Sequence, residues 1–224
     1  MRCVLNKKLL VKKYAEKHRY FFLYDAAREL GLDKELVMNY CYQLKKENLI
    51  FGAGRGWYSN FARSFELDTE PVQEMVDSIK KKFPLLKFSC WSTRQINRFT
   101  HHMLGKYVTL VYMDWDALPV VYDFLKDAGH DVWLNPRGKE AERFAVRENT
   151  VVLRPAISRE PRNGYYAAIE KIMVDLFIEG ESLYLMSEYD IVRKNILEDG
   201  RIDVAALLAY AKRRKVPSKA VFKE

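Results

Sequence analysis

The chain has 224 residues, an apolar fraction of 49% and a net charge of +8 at pH 7. This length allows one large or two small domains, the composition can form packed cores, and every apolar run is too short to cross a membrane. The first residues lack the apolar segment of a secretory signal, so we expect a cytoplasmic protein. The charge is uneven: residues 1–64 carry 13 Lys and Arg against 6 Asp and Glu, whereas residues 65–224 carry 25 against 24.

The chain begins with a predicted helix over about residues 7–17. Asn6 is suited to cap this helix, and Leu9, Leu10 and Tyr14 form its apolar side. Lys7, Lys8, Lys12 and Lys13 lie on its other faces, within reach of a phosphate backbone if the helix docks on DNA. A short aromatic strand over residues 21–23 follows.

Two further helices are predicted around Gly31. The first runs over residues 25–30, and Gly31 supplies the positive φ of a tight turn. Asp33 can cap the second helix, which continues to about Glu47. An apolar stripe follows the helical period of this second helix: Leu36, Val37, Tyr40, Cys41 and Leu44.

Two short strands, over residues 49–51 and 57–58, follow these helices. The glycine-rich tip between them, residues 52–56, predicts a hairpin and carries one cation, Arg55. The helical pair alone is also typical of an ordinary helical hairpin. With the added hairpin and the basic charge, the pattern favours a winged helix-turn-helix DNA-binding domain over residues 1–64.

The second helix of the pair has a polar face that is suited to reading DNA. Asn39 and Gln43 lie one turn apart and can pair bidentately with adenine. Lys34, Lys45 and Lys46 are better suited to contacting phosphates, and Arg55 could enter a minor groove. We therefore expect double-stranded DNA as a partner.

Residues 65–83 are predicted to form a connecting helix that begins near Pro71, and residues 84–224 an α/β domain with a helical C-terminal part. Ser92 and Gln95 form a capping box that opens a helix to about Met103. Asp114 is expected to cap another helix. The predicted strands cover residues 86–90, 107–113, 132–134 and 150–153, and the last helices cover residues 166–177, 188–198 and 203–214. The fold class is therefore α/β with more than one domain.

No catalytic set is evident in the sequence, and no cofactor motif is present. The histidines lack zinc-binding spacing, and His101 and His102 are expected to point to different faces of one helix. Cys3, Cys41 and Cys90 are widely spaced and odd in number, which indicates reduced thiols. Asp114 and Asp116 follow a buried strand, where carboxylates bind Mg²⁺ in nucleases, but no acid or lysine is predicted on a neighbouring strand. A metal-dependent nuclease therefore remains the alternative to a non-enzymatic regulator.

Aromatic residues of the second domain could include exposed anchors for a protein partner. The residues concerned are Trp91, Trp115, Trp133, Tyr165, Tyr166, Tyr184 and Tyr189. Sensing of a small ligand by this domain is also left open.

The order of the parts resembles that of a known family. An N-terminal winged helix precedes FSCWSTRQINRF, YVTLVYMDWDAL, DVWLNP, IEKIMVDLF and VAALLAYAKRR. Together these segments resemble the AbiEi-like antitoxins and related winged-helix regulators of type IV toxin–antitoxin systems. The resemblance implies a bacterial transcriptional regulator that represses its own operon at an operator with inverted repeats. It also implies that the C-terminal domain counteracts a nucleotidyltransferase-like toxin, a role that no residue pattern here indicates.

Overall fold

The structure is a computed structural model and describes residues 6–183 and 185–223. Residues 6–64 form three helices and three short strands, which we call the N-terminal unit. Its elements, in chain order, are α1 (Lys7–Lys17), β1 (Tyr20–Phe22), α2 (Leu23–Leu30), α3 (Lys34–Lys46), β2 (Phe51–Gly52) and β3 (Trp57–Ser59). Cys3 and Tyr184, which the sequence analysis considered, lie outside the described residues.

The local signals of the N-terminal unit formed the expected elements. Asn6 caps α1 and Asp33 caps α3 through their side chains, and Gly31 ends α2 with a φ of 61°. The strands lie in the order β1-β3-β2, and both pairs are antiparallel. The predicted hairpin is confirmed, although its first strand begins at Phe51 and the exposed Leu49 stays outside it.

The apolar stripe of α3 packs into the core of this unit. Val37, Cys41 and Leu44 have no exposed surface, whereas Leu36 and Tyr40 are half-buried. Burial raises the pKa of the Cys41 thiol to about 12, which makes it unreactive at neutral pH. On α1, Val11 replaces Leu9 in the core. The expectation that Leu9 is buried was wrong, because the helix is rotated so that Val11, Tyr14 and Ala15 face inward.

The rest of the chain is a mixed α/β structure around one sheet. The six strands are β4 (Phe88–Ser92), β5 (Val108–Met113), β6 (Asp131–Leu134), β7 (Thr150–Pro155), β8 (Arg162–Asn163) and β9 (Tyr166–Ala167). The helices are α4 (Glu70–Lys82), α5 (Thr93–Ile96), α6 (Leu118–Asp127), α7 (Lys139–Glu142), α8 (Ile169–Glu179), α9 (Tyr189–Asp199), α10 (Val204–Arg213) and α11 (Ser218–Val221).

The strand order of the larger sheet is β6-β7-β5-β4-β9-β8. β5, β7 and β6 are parallel, whereas β4 is antiparallel to β5 and parallel to β9. Its two faces are covered by different helices. One core joins α4 and α6 to the sheet, and the other joins α8 to α11 to the opposite face. Burial on both faces explains why β5 reads as a continuous apolar run.

Three predicted elements differ in the structure. The capping box at Ser92 is present, but α5 and a 3₁₀ turn end the helical segment at Phe99 instead of Met103. Asp114 precedes a 3₁₀ turn and its side chain caps nothing in the described part of the chain. The helix predicted from residue 166 begins at Ile169, because Tyr166 pairs with Cys90 and is drawn into a strand.

The N-terminal unit packs directly against the C-terminal helices. The Tyr20 hydroxyl donates to the Gly200 carbonyl (3.2 Å) and accepts from the Ile202 amide (3.1 Å), both with buried atoms. The Val204 amide donates to the Ala53 carbonyl (2.9 Å), so the hairpin tip meets the first turn of α10. A Cβ on Gly54 would lie 2.6 Å from the Ala205 Cβ. The two parts of the chain that the sequence separates at residue 64 therefore share an extensive contact.

This contact predicts a large cost for a methyl group at Gly54. Gly54 has a φ of +99°, and Gly129 has a φ of +88° with no atom near its missing Cβ. Gly129→Ala should lower the free energy of unfolding by about 1–2 kcal/mol through backbone strain alone. Gly54→Ala should cost about 1–3 kcal/mol more, because it also overpacks the contact with α10. Chemical denaturation of both variants measures this difference. Equal losses would mean that the hairpin tip is not held against α10.

Candidate nucleic-acid interface

The exposed face of α3 carries the two amides that the sequence analysis proposed for base recognition. Asn39 is exposed and Gln43 is half-buried one turn further along. The part of the chain that the structure describes contains no hydrogen-bond partner for either side-chain amide. The donor and the acceptor of each amide are therefore available to an external partner.

Four cations of the unit were predicted to contact the DNA backbone or groove. Lys34, Lys45, Lys46 and Arg55 are all exposed, and none of them forms an ion pair with a described carboxylate. The Lys34 Nζ lies 4.4 Å from the centre of the Tyr24 ring. The exposed surface of the unit therefore carries unneutralised positive charge.

Exposed apolar side chains on the same face were not predicted as functional. Tyr24, Met38 and Tyr42 are each about half exposed, and the Lys46 Nζ lies 4.6 Å from the centre of the Tyr42 ring. Lys34, Met38, Tyr42 and Lys46 recur every four residues and so lie along one line of the helix. That spacing was the signal available in the sequence. This line of four residues is distinct from the buried apolar stripe of α3.

The lysines of α1 are less available than the sequence analysis expected. The Lys8 Nζ lies 2.5 Å from a Glu47 carboxylate oxygen, and the Lys12 Nζ lies 3.8 Å from Glu16. Lys7 and Lys13 are exposed. The positive surface of α1 is thus partly neutralised.

The hairpin tip is fixed on one side and open on the other. Ala53 is buried and Gly54 contacts α10, whereas Arg55 is exposed. The guanidinium of Arg55 is therefore the part of the tip that can reach a ligand. The residues that precede Arg55 are held by contacts with α10.

A buried charged cluster in the second part of the chain was missed by the sequence analysis. The Lys171 Nζ lies 2.7 Å from an Asp175 oxygen, 2.9 Å from a Glu160 oxygen and 3.4 Å from the centre of the Tyr112 ring. The Tyr210 hydroxyl donates to Asp175 (2.9 Å) and accepts from Lys171 (3.0 Å). The only sequence signal was the i,i+4 spacing of Lys171 and Asp175 on α8.

This cluster brings a lysine and two carboxylates together in the second part of the chain, a grouping that the sequence did not reveal. Lys171 and Asp175 have no exposed side-chain surface, so the set is closed to a substrate in this structure. Burial, followed by the charge of Asp175, raises the pKa of both Tyr112 and Tyr210. The cluster therefore works as a neutralised core network, since buried charges persist only when they are paired.

The acidic residues at the strand ends do not converge. Asp114 and Asp116 are exposed beyond the C-terminal end of β5. The strand predicted at 132 begins instead at Asp131, so the expectation that it carries no acid was wrong. Because β5, β7 and β6 are parallel, Asp131 lies at the opposite end of the sheet, where it accepts from Thr150 (2.9 Å). These acids cannot share one Mg²⁺ ion.

The two adjacent histidines also differ from expectation. His101 and His102 follow the end of the 3₁₀ turn and do not lie on a helix. Their rings meet edge to face, with Nδ1 of His101 3.0 Å from Nε2 of His102. The prediction that they point to different faces of one helix was wrong because the helical segment ends before them.

Most of the aromatic residues considered as partner anchors belong to the core. Trp91 and Tyr189 are buried, and Trp133, Tyr165 and Tyr166 are half-buried. Trp115, at 62% exposure, is the one residue of that set whose ring is largely free within the described chain. The set therefore does not form one aromatic surface.

A cavity of about 500 Å³ lies between the N-terminal unit and α9. Apolar side chains of Ile191 and Leu197 share its wall with cations. These cations are Arg19, Arg193, Lys194 and Lys223. Asp190 and Glu198 also line it, and the Asp190 carboxylate accepts from Arg193 (2.9 Å), so part of this positive charge is neutralised.

Residues 36–220 match the model of a protein family of unknown function, DUF6577. The chain belongs to this family. The match includes most of α3, the hairpin and nearly all of the C-terminal helices, so it spans the contact between the two parts. No curated protein and no solved structure matches the chain. Among the described residues, no helix combines the length and apolar character needed to cross a membrane.

Proposed function

We propose that this protein is a DNA-binding transcriptional regulator whose N-terminal unit is a winged helix-turn-helix. The observation that carries the proposal is the element order α1-β1-α2-α3-β2-β3 with the sheet order β1-β3-β2. In this arrangement α3 follows the tight turn at Gly31 and takes the place of a recognition helix. The hairpin β2–β3 takes the place of the wing, and Arg55 occupies its tip.

The proposal assigns different tasks to the exposed residues. Asn39 and Gln43 read bases in the major groove. Lys34, Lys45 and Lys46 bind phosphates and set the position of α3 on the duplex. Arg55 inserts into an adjacent minor groove, where a narrow A-tract attracts a guanidinium. The net charge of +7 on residues 1–64 supports this assignment.

Two alanine variants separate base recognition from phosphate binding. Selection from a random duplex pool with the full chain first identifies a preferred site. Asn39→Ala should weaken binding to that site by about 1–3 kcal/mol and leave random DNA nearly unaffected. Lys46→Ala should weaken binding to both DNAs by the same factor, because a phosphate contact carries no sequence information.

The control for these variants is Glu29→Ala, an exposed residue of α2 that the proposal assigns to no DNA contact. It should not weaken binding. If Asn39→Ala and Lys46→Ala reduce specific and random binding alike, the division of tasks fails. If the full chain selects no site and retains no DNA at low salt, the proposed function fails with it.

The antitoxin role rests on the resemblance to AbiEi-like regulators. In that role the cytoplasmic protein represses its own operon, and its C-terminal part counteracts a nucleotidyltransferase-like toxin encoded beside it. The contact between the two parts makes the full chain the appropriate reagent. Co-expression of the full chain with the neighbouring gene product should restore growth. If the neighbouring product is not toxic, or if it stays toxic beside the full chain, the antitoxin role is excluded.

The nuclease alternative has one structural feature in its favour, the cluster of Lys171, Asp175 and Glu160. Both Lys171 and Asp175 are closed to solvent, so a phosphate could approach only after the surrounding helices rearranged. Incubation of duplex DNA and RNA with the full chain and Mg²⁺ or Mn²⁺ tests it. We expect no hydrolysis. Cleavage that is lost in an Asp175→Asn variant shown by circular dichroism to be folded would contradict the regulator and support the nuclease.

A further inference from the structure

His101 and His102 lie close to a carboxylate from a distant part of the chain. Glu188 lies in the segment before α9, and one of its oxygens accepts a hydrogen bond from the His101 backbone amide (2.7 Å). One ligand atom from each of the three side chains lies within 4.8 Å of the other two. The sequence spacing concealed this group, since 86 residues separate Glu188 from His102.

The separation of these atoms is close to the requirement of a transition-metal ion. Two nitrogen ligands at about 2.0–2.1 Å from a tetrahedral Zn²⁺ lie about 3.4 Å apart. Nδ1 of His101 and Nε2 of His102 are 3.0 Å apart and hydrogen-bonded to each other, so the two exposed rings need to rotate until both nitrogens point at one ion. Two imidazoles and one carboxylate are a donor set that Zn²⁺ accepts, with a fourth position left for water.

The surrounding contacts hold both ligand-bearing segments in place before any ion arrives. The Asn195 side chain on α9 donates to the Phe99 carbonyl (2.8 Å), which ties the segment before His101 to the helix after Glu188. The His101 amide orients the carboxylate of Glu188, and a carboxylate retains acceptor capacity after one hydrogen bond. Such outer hydrogen bonds fix the orientation of metal ligands.

We propose that His101, His102 and Glu188 bind one divalent transition-metal ion of the Zn²⁺ class. The ion joins the segment after the 3₁₀ turn to the start of α9. The C-terminal end of α9 lies beside the N-terminal unit, where the Glu198 carbonyl accepts from Arg19 (2.8 Å). The site therefore stabilises the position of α9, the helix that contacts the N-terminal unit through Arg19.

Calorimetric titration of the full chain with ZnCl₂ tests this site. The protein carries no polyhistidine tag and is first dialysed against a chelator. The expected result is one ion per chain for the wild type. His102→Ala and Glu188→Gln should each weaken binding at least about 10-fold. Circular dichroism of the metal-free variants establishes that they are folded. His102→Ala should disturb folding less than Glu188→Gln, because the His102 side chain is exposed.

The matched controls are His130→Ala and Glu148→Gln, which remove the same side-chain types from the segment between α6 and β6 and from the segment before β7. Both should bind Zn²⁺ as the wild type does. Wild-type affinity in folded His102→Ala, or no stoichiometric binding by the wild type, overturns the site. DNA binding is measured separately, so failure of the metal site leaves the proposed function standing.

Discussion

Lys171→Ala is expected to lower the free energy of unfolding by about 3–5 kcal/mol. The variant leaves the buried carboxylates of Asp175 and Glu160 without the ammonium that neutralises them. Arg214 offers Asp175 a weaker contact, with its Nε at 3.8 Å, so it replaces only part of the lost interaction. Urea denaturation followed by circular dichroism measures the loss.

The matched control is Lys194→Ala. Lys194 and Glu198 have the same i,i+4 spacing as Lys171 and Asp175, but their side chains are 71% and 53% exposed. Removing this lysine should change stability by no more than about 0.5 kcal/mol, because water solvates the remaining carboxylate. A cost below about 1 kcal/mol for Lys171→Ala would show that the cluster is not a closed ionic network in solution.

The combined variant Lys34→Ala/Lys45→Ala/Lys46→Ala should lose most of its affinity for DNA. Each lost phosphate contact reduces the slope of log K against log salt by about 0.9. Three losses should weaken binding at low salt on the order of 10²–10³-fold. The three side chains are exposed, so the fold should survive. Fluorescence anisotropy with a labelled duplex measures both quantities.

The control for this variant removes the same charge from another helix. Lys80, Lys81 and Lys82 are three exposed lysines in the last turn of α4. Their combined replacement by alanine should leave the salt slope near that of the wild type. Equal losses in both triple variants would mean that total charge, and not the surface around α3, attracts DNA.

Much of the N-terminal unit could be predicted because its signals are local. Asn6 and Asp33 cap helices through amides three residues away or nearer, and Gly31 adopts its positive φ where the turn requires it. The hairpin between β2 and β3 closes over four residues. Such features depend on neighbours in sequence, so a single chain reveals them.

The remaining features depend on partners that are distant in sequence. Tyr166 was predicted to be helical but lies in a strand, because it pairs with Cys90. The helical segment after Ser92 ends at Phe99, earlier than predicted. In the Lys171 cluster, Lys171 contacts Tyr112, which lies on a strand 59 residues earlier. Gly54 contacts the first turn of α10, about 150 residues later. No periodicity or spacing encodes these contacts, because they form only when the sheet and the helices assemble.

The salt dependence of DNA affinity tests the central claim, that the full chain binds duplex DNA through the basic surface of residues 6–64. Affinity for one labelled duplex is measured by anisotropy from about 50 to 200 mM salt. With roughly five phosphate contacts, log K should fall linearly with log salt at a slope of about −4 to −5. A slope near zero, or no binding at the lowest salt, would contradict the account.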